Sequence, residues 1–146
     1  MGGEGGIAAV AHVIQLSVAP VFLISGIGAF LAVMTNRLAR AVDRARVLEA
    51  RQPAEPGEAA AVHAELCTLS RRTKLMSFAI TASIVTALLV SAVIVALFLA
   101  AFFAFDASVA VALLFIAAML ALFAGLLAFL REILLATAAL RIGYPS

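Results

Sequence analysis

Charged residues, cysteine and tryptophan are scarce in this chain of 146 residues. Only 12% of the residues are charged and 66% are hydrophobic, whereas a typical soluble domain is about one-quarter charged and about half apolar. The composition therefore excludes an ordinary water-soluble domain and indicates a membrane protein. Tryptophan is absent and tyrosine occurs once, so the usual aromatic markers of a membrane interface are nearly missing. The single cysteine, Cys67, excludes a disulfide within the chain.

Side chains that catalyse reactions or bind metals do not occur in recognisable sets. His12 and His63 belong to different parts of the chain, no carboxylate pair lies in an apolar run, and no nucleophile has a neighbouring base. Gly26 and Gly28 begin a GxG pattern, but Leu31 stands where a dinucleotide-binding motif needs its third glycine. We therefore predict no catalytic residue, no metal site and no cofactor, and a protein that is not an enzyme.

Three long apolar runs, Ile7 to Met34, Leu75 to Phe105 and Ala107 to Leu130, dominate the sequence. Each reaches the length of about 20 residues that a membrane-spanning helix needs. We predict an all-α membrane protein with three transmembrane helices and a cytoplasmic helical hairpin between the first two. The predicted segments are a flexible outer N-terminus (1–6), a transmembrane helix (7–35), the hairpin (36–75, turn 52–58), two further transmembrane helices (76–105 and 107–130) and a cytoplasmic C-terminal helix or tail (131–146).

The basic residues predict the orientation in the membrane. Eight of the ten lie between the first and second apolar runs, and Arg131 and Arg141 follow the third. Because basic residues concentrate on the cytoplasmic side, we expect the N-terminus outside and the C-terminus in the cytoplasm. This topology accounts for the net charge of +2, and no recognition motif accompanies the basic cluster, so we predict no nucleic-acid partner.

The segment between the first two apolar runs has two narrow apolar seams, separated by the proline- and glycine-containing stretch "RQPAEPGE". The seams comprise Leu38, Ala41, Ala45 and Leu48, and then Val62, Leu66, Leu69, Thr73 and Met76. Spacings of three and four residues are typical of coiled-coil helices. They predict a hairpin that projects into the cytoplasm. A short helix lying on the lipid headgroups is the alternative.

The first apolar run contains a face of small residues and three candidates for a pore or polar face. The small residues are Ser25, Gly28, Ala29 and Ala32. They favour close helix packing, with a functional hinge as the alternative. The candidates for the pore or polar face are His12, Gln15 and Pro20.

Their chemistry leaves two interpretations open. An ionisable residue in a membrane helix is a functional candidate, but His12 is near enough to the end of the run to lie at the interface. Pro20 removes one backbone hydrogen bond and predicts a kink or local unwinding. Such a break either lines a cavity or is purely structural.

A ladder of arginines follows the first apolar run. We predict a charge network or lipid contact formed by Arg37, Arg40, Asp43, Arg44, Arg46 and Glu132. Arginines at this boundary anchor a helix to anionic headgroups. We also expect ion pairs across the hairpin with Glu58 and Glu65, or with Glu132 just after the third apolar run.

The stretch "APVFLISGIGAFLAVMTNRLARAVDRAR", with "FLREI" later, resembles the bacterial membrane family called domain of unknown function 2721. The matching residues are Pro20, Gly26, Gly28, Thr35, Asn36, Arg37, Leu38, Arg40, Asp43, Arg44 and Arg46. The resemblance implies a small multi-pass protein of the bacterial inner (cytoplasmic) membrane. It implies no activity and no functional residue.

Two functions are compatible with these observations. The leading hypothesis is a homo-oligomeric channel for ions or small solutes, because three helices bury little surface alone and the small-residue face invites further copies. The alternative is a non-catalytic scaffold or regulatory subunit whose hairpin binds a partner protein or anionic lipid. The expected partners are therefore the lipid bilayer, further copies of the chain, and ions or anionic lipids.

Overall fold

The computed structural model describes the backbone of residues 3–51 and 55–141, and the side chains of residues 6–51 and 55–137. Three helices account for nearly all of this: α1 (Gly3–Glu49), α2 (Pro56–Phe103) and α3 (Ser108–Arg141). No β-strand occurs in these ranges. Each helix is long and apolar enough to cross a membrane. The predicted all-α architecture with three membrane-length helices is confirmed.

The helix ends differ from the predicted segments in several places. Helix α1 already includes Gly3 and continues without interruption through Pro20 to Glu49. Of the kink or local unwinding expected at Pro20, the unwinding is therefore absent, because a long helix tolerates the loss of one backbone hydrogen bond. Helix α2 begins at Pro56, inside the predicted turn, where proline suits the first helical position. The last five residues of the predicted C-terminal segment, 142–146, lie outside the described residues.

The described chain divides into two units. One consists of residues 3–30 and 82–123. Its buried residues are Val13, Ser17, Ile27, Ser83, Thr86, Val90, Val93 and Ala118. The hydroxyls of Ser17 and Thr86 donate to the carbonyls of Val13 and Ala82, each at 2.8 Å. These two hydroxyls thus bond back to their own helices.

Large apolar side chains in this unit lie on its outside. Phe22, Leu88, Val109 and Leu120 are each more than 60% exposed. Water would make such a surface unfavourable, whereas lipid tails suit it. The exposure pattern agrees with helices that are surrounded by lipid.

The second unit consists of residues 31–81 and the described part of α3 from residue 124 onwards. Its apolar cluster joins α1 to α2 through Ala41, Leu48, Leu69 and Met76, with Leu38, Ala45, Val62 and Leu66 packed against it. The two apolar seams therefore contact each other. Ala79 and Glu132 are also fully buried in this unit.

A tight connection joins α2 to α3. Ala104 has a φ of 53°, in the left-handed region, and this conformation turns the chain at the end of α2. The carboxylate of Asp106 accepts a hydrogen bond from the backbone N–H of Ser108 at 2.9 Å. That bond satisfies one of the free N–H groups at the start of α3.

Candidate functional site

A buried carboxylate lies in the second unit. The side chain of Glu132, on α3, has no exposed surface. Arg72 donates to its Oε1 atom from both Nη2, at 2.8 Å, and Nε, at 3.2 Å. Its Oε2 atom lies 3.1 Å from Nη2 of Arg37. That contact is an ion pair by distance but lacks hydrogen-bond geometry, so Oε2 accepts no hydrogen bond.

Two guanidiniums therefore surround one carboxylate. Burial of a lone carboxylate costs several kcal/mol, and opposite charges at hydrogen-bonding distance offset that cost. The side chains of Arg37 and Arg72 retain 30% and 24% of their exposure, so water still reaches both. The carboxylate thus holds the two guanidiniums in place, and the guanidiniums remain partly exposed to solvent.

The sequence positions of these groups explain why they meet. Arg37 comes three residues after Met34, and Glu132 comes two residues after Leu130. Both therefore follow closely upon an apolar run. Phe129 and Glu132 lie one turn apart on α3, and the Arg37 guanidinium lies 5.7 Å from the centre of the Phe129 ring. One arginine thus contacts both an aromatic ring and a carboxylate of the same helix face.

A groove of about 340 Å³ lies beside this cluster. Its lining residues are Arg37, Arg40, Ala41, Arg44, Leu69 and Arg72. Arg44 donates from Nε to Oε1 of Glu65 at 2.9 Å, and both side chains of that pair are about half exposed. We call this feature the arginine groove.

The arginine groove has an excess of positive charge. Four guanidiniums line it, and two carboxylates, Glu132 and Glu65, pair with three of them. Arg40 forms no ion pair or hydrogen bond with the described part of the chain. The groove therefore keeps two uncompensated positive charges, and an exposed guanidinium is available to an anion.

Other members of the predicted charge network are placed differently. Asp43 and Arg46 are exposed and form no ion pair within residues 6–51 and 55–137. Arg46 instead lines a separate groove of about 770 Å³, together with His63 and Cys67. No group of three histidine, cysteine or acidic side chains among the described residues is able to hold a metal ion.

Arg72 is the functional candidate that sequence reasoning missed. It lies between the seam residues Leu69 and Met76. Its position shows that it borders the seam, but the direction in which it points depends on how α3 packs.

The polar face and the small-residue face of α1 are largely exposed in the described structure. His12 and Gln15 are exposed, and Pro20 is half-buried. Ser25, Gly28, Ala29 and Ala32 are all exposed. A methyl group built on Gly28 would meet no atom within 4 Å. The described residues therefore do not use the small-residue face for packing within one chain.

The three apolar helices and their exposed apolar surface define a multi-pass membrane protein. The family described as "Protein of unknown function (DUF2721)" matches residues 17–142, and the chain belongs to this family. The resemblance noted in the sequence is thereby confirmed. Comparison with curated proteins gave no match, and comparison with solved structures gave none.

Proposed function

We propose that this protein is a non-catalytic membrane protein whose hairpin, residues 36–75, lies in the cytoplasm and binds anionic lipid headgroups. The observation that supports this function is the arginine groove with its two uncompensated positive charges. We further propose that the two apolar seams pack as a coiled coil. The membrane is the bacterial inner membrane, with the N-terminus outside and the C-terminus in the cytoplasm.

The charge distribution supports this orientation. Eight of the ten basic residues belong to the hairpin region, and the positive-inside rule puts such a region in the cytoplasm. The cytoplasmic leaflet carries the negative surface potential that attracts basic segments, at about 1 kcal/mol for each arginine or lysine near the surface.

The position of the groove along α1 favours a lipid as its ligand. A helix rises about 1.5 Å per residue, so Arg37 lies about 4–5 Å and Arg40 about 9 Å beyond Met34 along the helix axis. The headgroup layer is about 5–8 Å thick on each side of the hydrocarbon core. If the apolar run ends near Met34, both guanidiniums lie in or next to the headgroups.

Lipid selectivity of the purified full-length protein tests this function. The protein is equilibrated in detergent with equal amounts of phosphatidylglycerol and phosphatidylcholine, and the retained lipids are counted by native mass spectrometry. We expect several-fold more phosphatidylglycerol than phosphatidylcholine to be retained. Equal retention of the two lipids would contradict the proposed function.

A homo-oligomeric pore is a second candidate, supported by the exposure of His12 and Gln15 on α1. Polar side chains that face lipid are unfavourable, and further copies of the chain would cover them around a central axis. The open surface beside Gly28 provides a face on which a second helix can approach closely.

Flux measurements on reconstituted liposomes test the pore. We expect ion or solute flux from the wild-type protein and a reduced flux from the double variant His12→Ala, Gln15→Ala. No flux under any applied gradient would count against a pore and would leave the lipid-binding function as the better account.

A further inference from the structure

We infer that the arginine groove is a phosphate-binding site in which Arg40 and Arg44 bind the phosphate oxygens and Glu132 fixes the positions of Arg37 and Arg72. This inference rests on the proposed function and names the chemical group that is recognised. The ligand is either the phosphodiester of a lipid headgroup or a free phosphate ion. Both present negatively charged, non-ester phosphate oxygens to a guanidinium.

The distribution of charges within the groove supports an oxyanion ligand. Glu132 contacts Arg37 and Arg72 and therefore neutralises part of one wall. Arg40 has no ion pair or hydrogen bond to the described residues. A guanidinium is planar and offers several N–H donors in a fixed arrangement, which suits the geometry of phosphate oxygens.

The spacing on α1 brings the binding groups to one side. Arg37, Arg40 and Arg44 follow each other at three and four residues, so their side chains lie on one face of the helix. All three line the same groove. An anion in the groove therefore meets several donors without any rearrangement of the backbone.

Arg44 is free to exchange its partner. In its ion pair with Glu65, the Arg44 side chain is 54% exposed and the Glu65 side chain is 43% exposed. Such exposed pairs contribute little to stability. A phosphate oxygen can replace the Glu65 carboxylate at low cost. Arg72, in contrast, makes two hydrogen bonds to a fully buried carboxylate, so we assign it to the wall of the site.

The experiment compares Arg40→Gln with Arg46→Gln in the full-length protein in detergent. Each substitution removes one positive charge from an exposed position of α1, and neither arginine has an ion pair in the described structure. Only Arg40 lines the arginine groove. Dissociation constants are measured for three probes: phosphatidylglycerol, phosphatidylcholine and inorganic phosphate.

We expect Arg40→Gln to raise the dissociation constant of the probe that binds in the groove, phosphatidylglycerol or inorganic phosphate, about tenfold. This is the effect expected for the loss of a hydrogen bond to a charged group. Arg46→Gln should change this dissociation constant less than about twofold. The variant Arg40→Lys, which keeps the charge but not the planar donor set, should lie between the wild type and Arg40→Gln.

The outcomes separate this inference from the proposed function. If both glutamine variants weaken phosphatidylglycerol binding equally, the groove is not the site, while the lipid-binding function stands. If inorganic phosphate alone binds through Arg40, the site stands and the lipid-binding function is wrong. If neither anionic lipid nor phosphate is preferred over phosphatidylcholine, the lipid-binding function is wrong. If Arg40→Gln also leaves the dissociation constants of all three probes unchanged, the inference is wrong too. Loss of phosphatidylglycerol binding in Arg40→Gln alone identifies the lipid phosphodiester as the ligand.

Discussion

Arg72 donates two hydrogen bonds to a single oxygen of Glu132, although the two residues are 60 positions apart in the chain. The bonds join α2 to α3 next to the apolar cluster of the second unit. Together with Arg37, they compensate a carboxylate that has no exposed surface. Because a buried charge depends on its partners, the stability of the protein is expected to be sensitive to changes in this cluster.

Replacing Glu132 tests that sensitivity. Glu132→Gln leaves two guanidiniums without a counter-charge, and we expect a loss of about 2–4 kcal/mol in the free energy of unfolding. The value is below that of a fully enclosed pair, since water reaches both arginines. Denaturant titration in detergent, followed by circular dichroism, measures the loss. The control is Glu65→Gln at the exposed pair, which should cost less than about 0.5 kcal/mol. Equal losses for the two variants would contradict the burial argument.

The apolar seam predicts a contrast between neighbouring positions on α1. Leu48 is 2% exposed and Val47 is 61% exposed. We expect Leu48→Ala to lower the free energy of unfolding by about 2–4 kcal/mol through lost contacts and a residual cavity. Val47→Ala should change it by less than about 0.5 kcal/mol. The same denaturant titration gives both values, and similar losses at the two positions would show that the seam is not a core.

Ala104 offers a site for stabilisation. Its left-handed conformation, with a φ of 53°, costs a residue with a Cβ atom about 1 kcal/mol that glycine avoids. Glycine also increases the conformational entropy of the unfolded chain, which offsets part of this stabilisation. We therefore expect Ala104→Gly to stabilise by about 0.5 kcal/mol and Ala104→Val to destabilise. Melting temperatures in detergent measure both changes, and a lower melting temperature for the glycine variant would rule out strain at this turn.

Asp106 predicts a pH dependence of stability. The Ser108 hydroxyl and backbone N–H donate to its carboxylate and lower the pKa of Asp106 below the ordinary value of 3.8. The unfolded chain therefore takes up the proton at a higher pH than the folded chain does. The stabilising contribution is complete well above pH 3.8 and is lost as the pH falls through the lowered pKa.

The variant Asp106→Asn keeps the turn but does not titrate. Between pH 6 and pH 3, we expect the wild-type melting temperature to fall more steeply than that of Asp106→Asn. Parallel curves for the two proteins would refute a role for this carboxylate.

Cys67 reports the location of the hairpin. It is the single cysteine of the chain and is exposed. A membrane-impermeant maleimide should label it in sealed inside-out vesicles and leave it unmodified in sealed right-side-out vesicles. In a Cys67→Ser background, Asp106→Cys should label with the opposite preference. Labelling of Cys67 from the outer side would overturn the proposed orientation.

Hydropathy and residue spacing predict much of this fold. Long apolar runs predict the three helices, because only a helix satisfies its backbone hydrogen bonds within an apolar segment. The seam spacing predicts which residues of the hairpin are buried, and Leu48 and Leu69 are both in the observed cluster. The sequence also predicts an ion pair between the arginine ladder and Glu132, and one member of the ladder, Arg37, lies 3.1 Å from that carboxylate.

Other features depend on how the helices are rotated against each other. Arg71 and Arg72 are adjacent in sequence, yet only Arg72 contacts Glu132. The rotation of α2 about its axis decides this, and local sequence does not encode that rotation. Ala104 gives no signal for a left-handed conformation, since alanine strongly favours helices. The contact between Arg72 and Glu132 and the turn at Ala104 are therefore not encoded in local sequence patterns.

The buried carboxylate also imposes an order on the synthesis of the protein. Arg37 and Arg72 emerge from the ribosome first, and Glu132 follows 60 residues after Arg72. Until the last helix has been made, both guanidiniums lack this buried counter-charge. The third helix thus supplies more than another membrane crossing, because its arrival completes the charge balance of the two helices made before it.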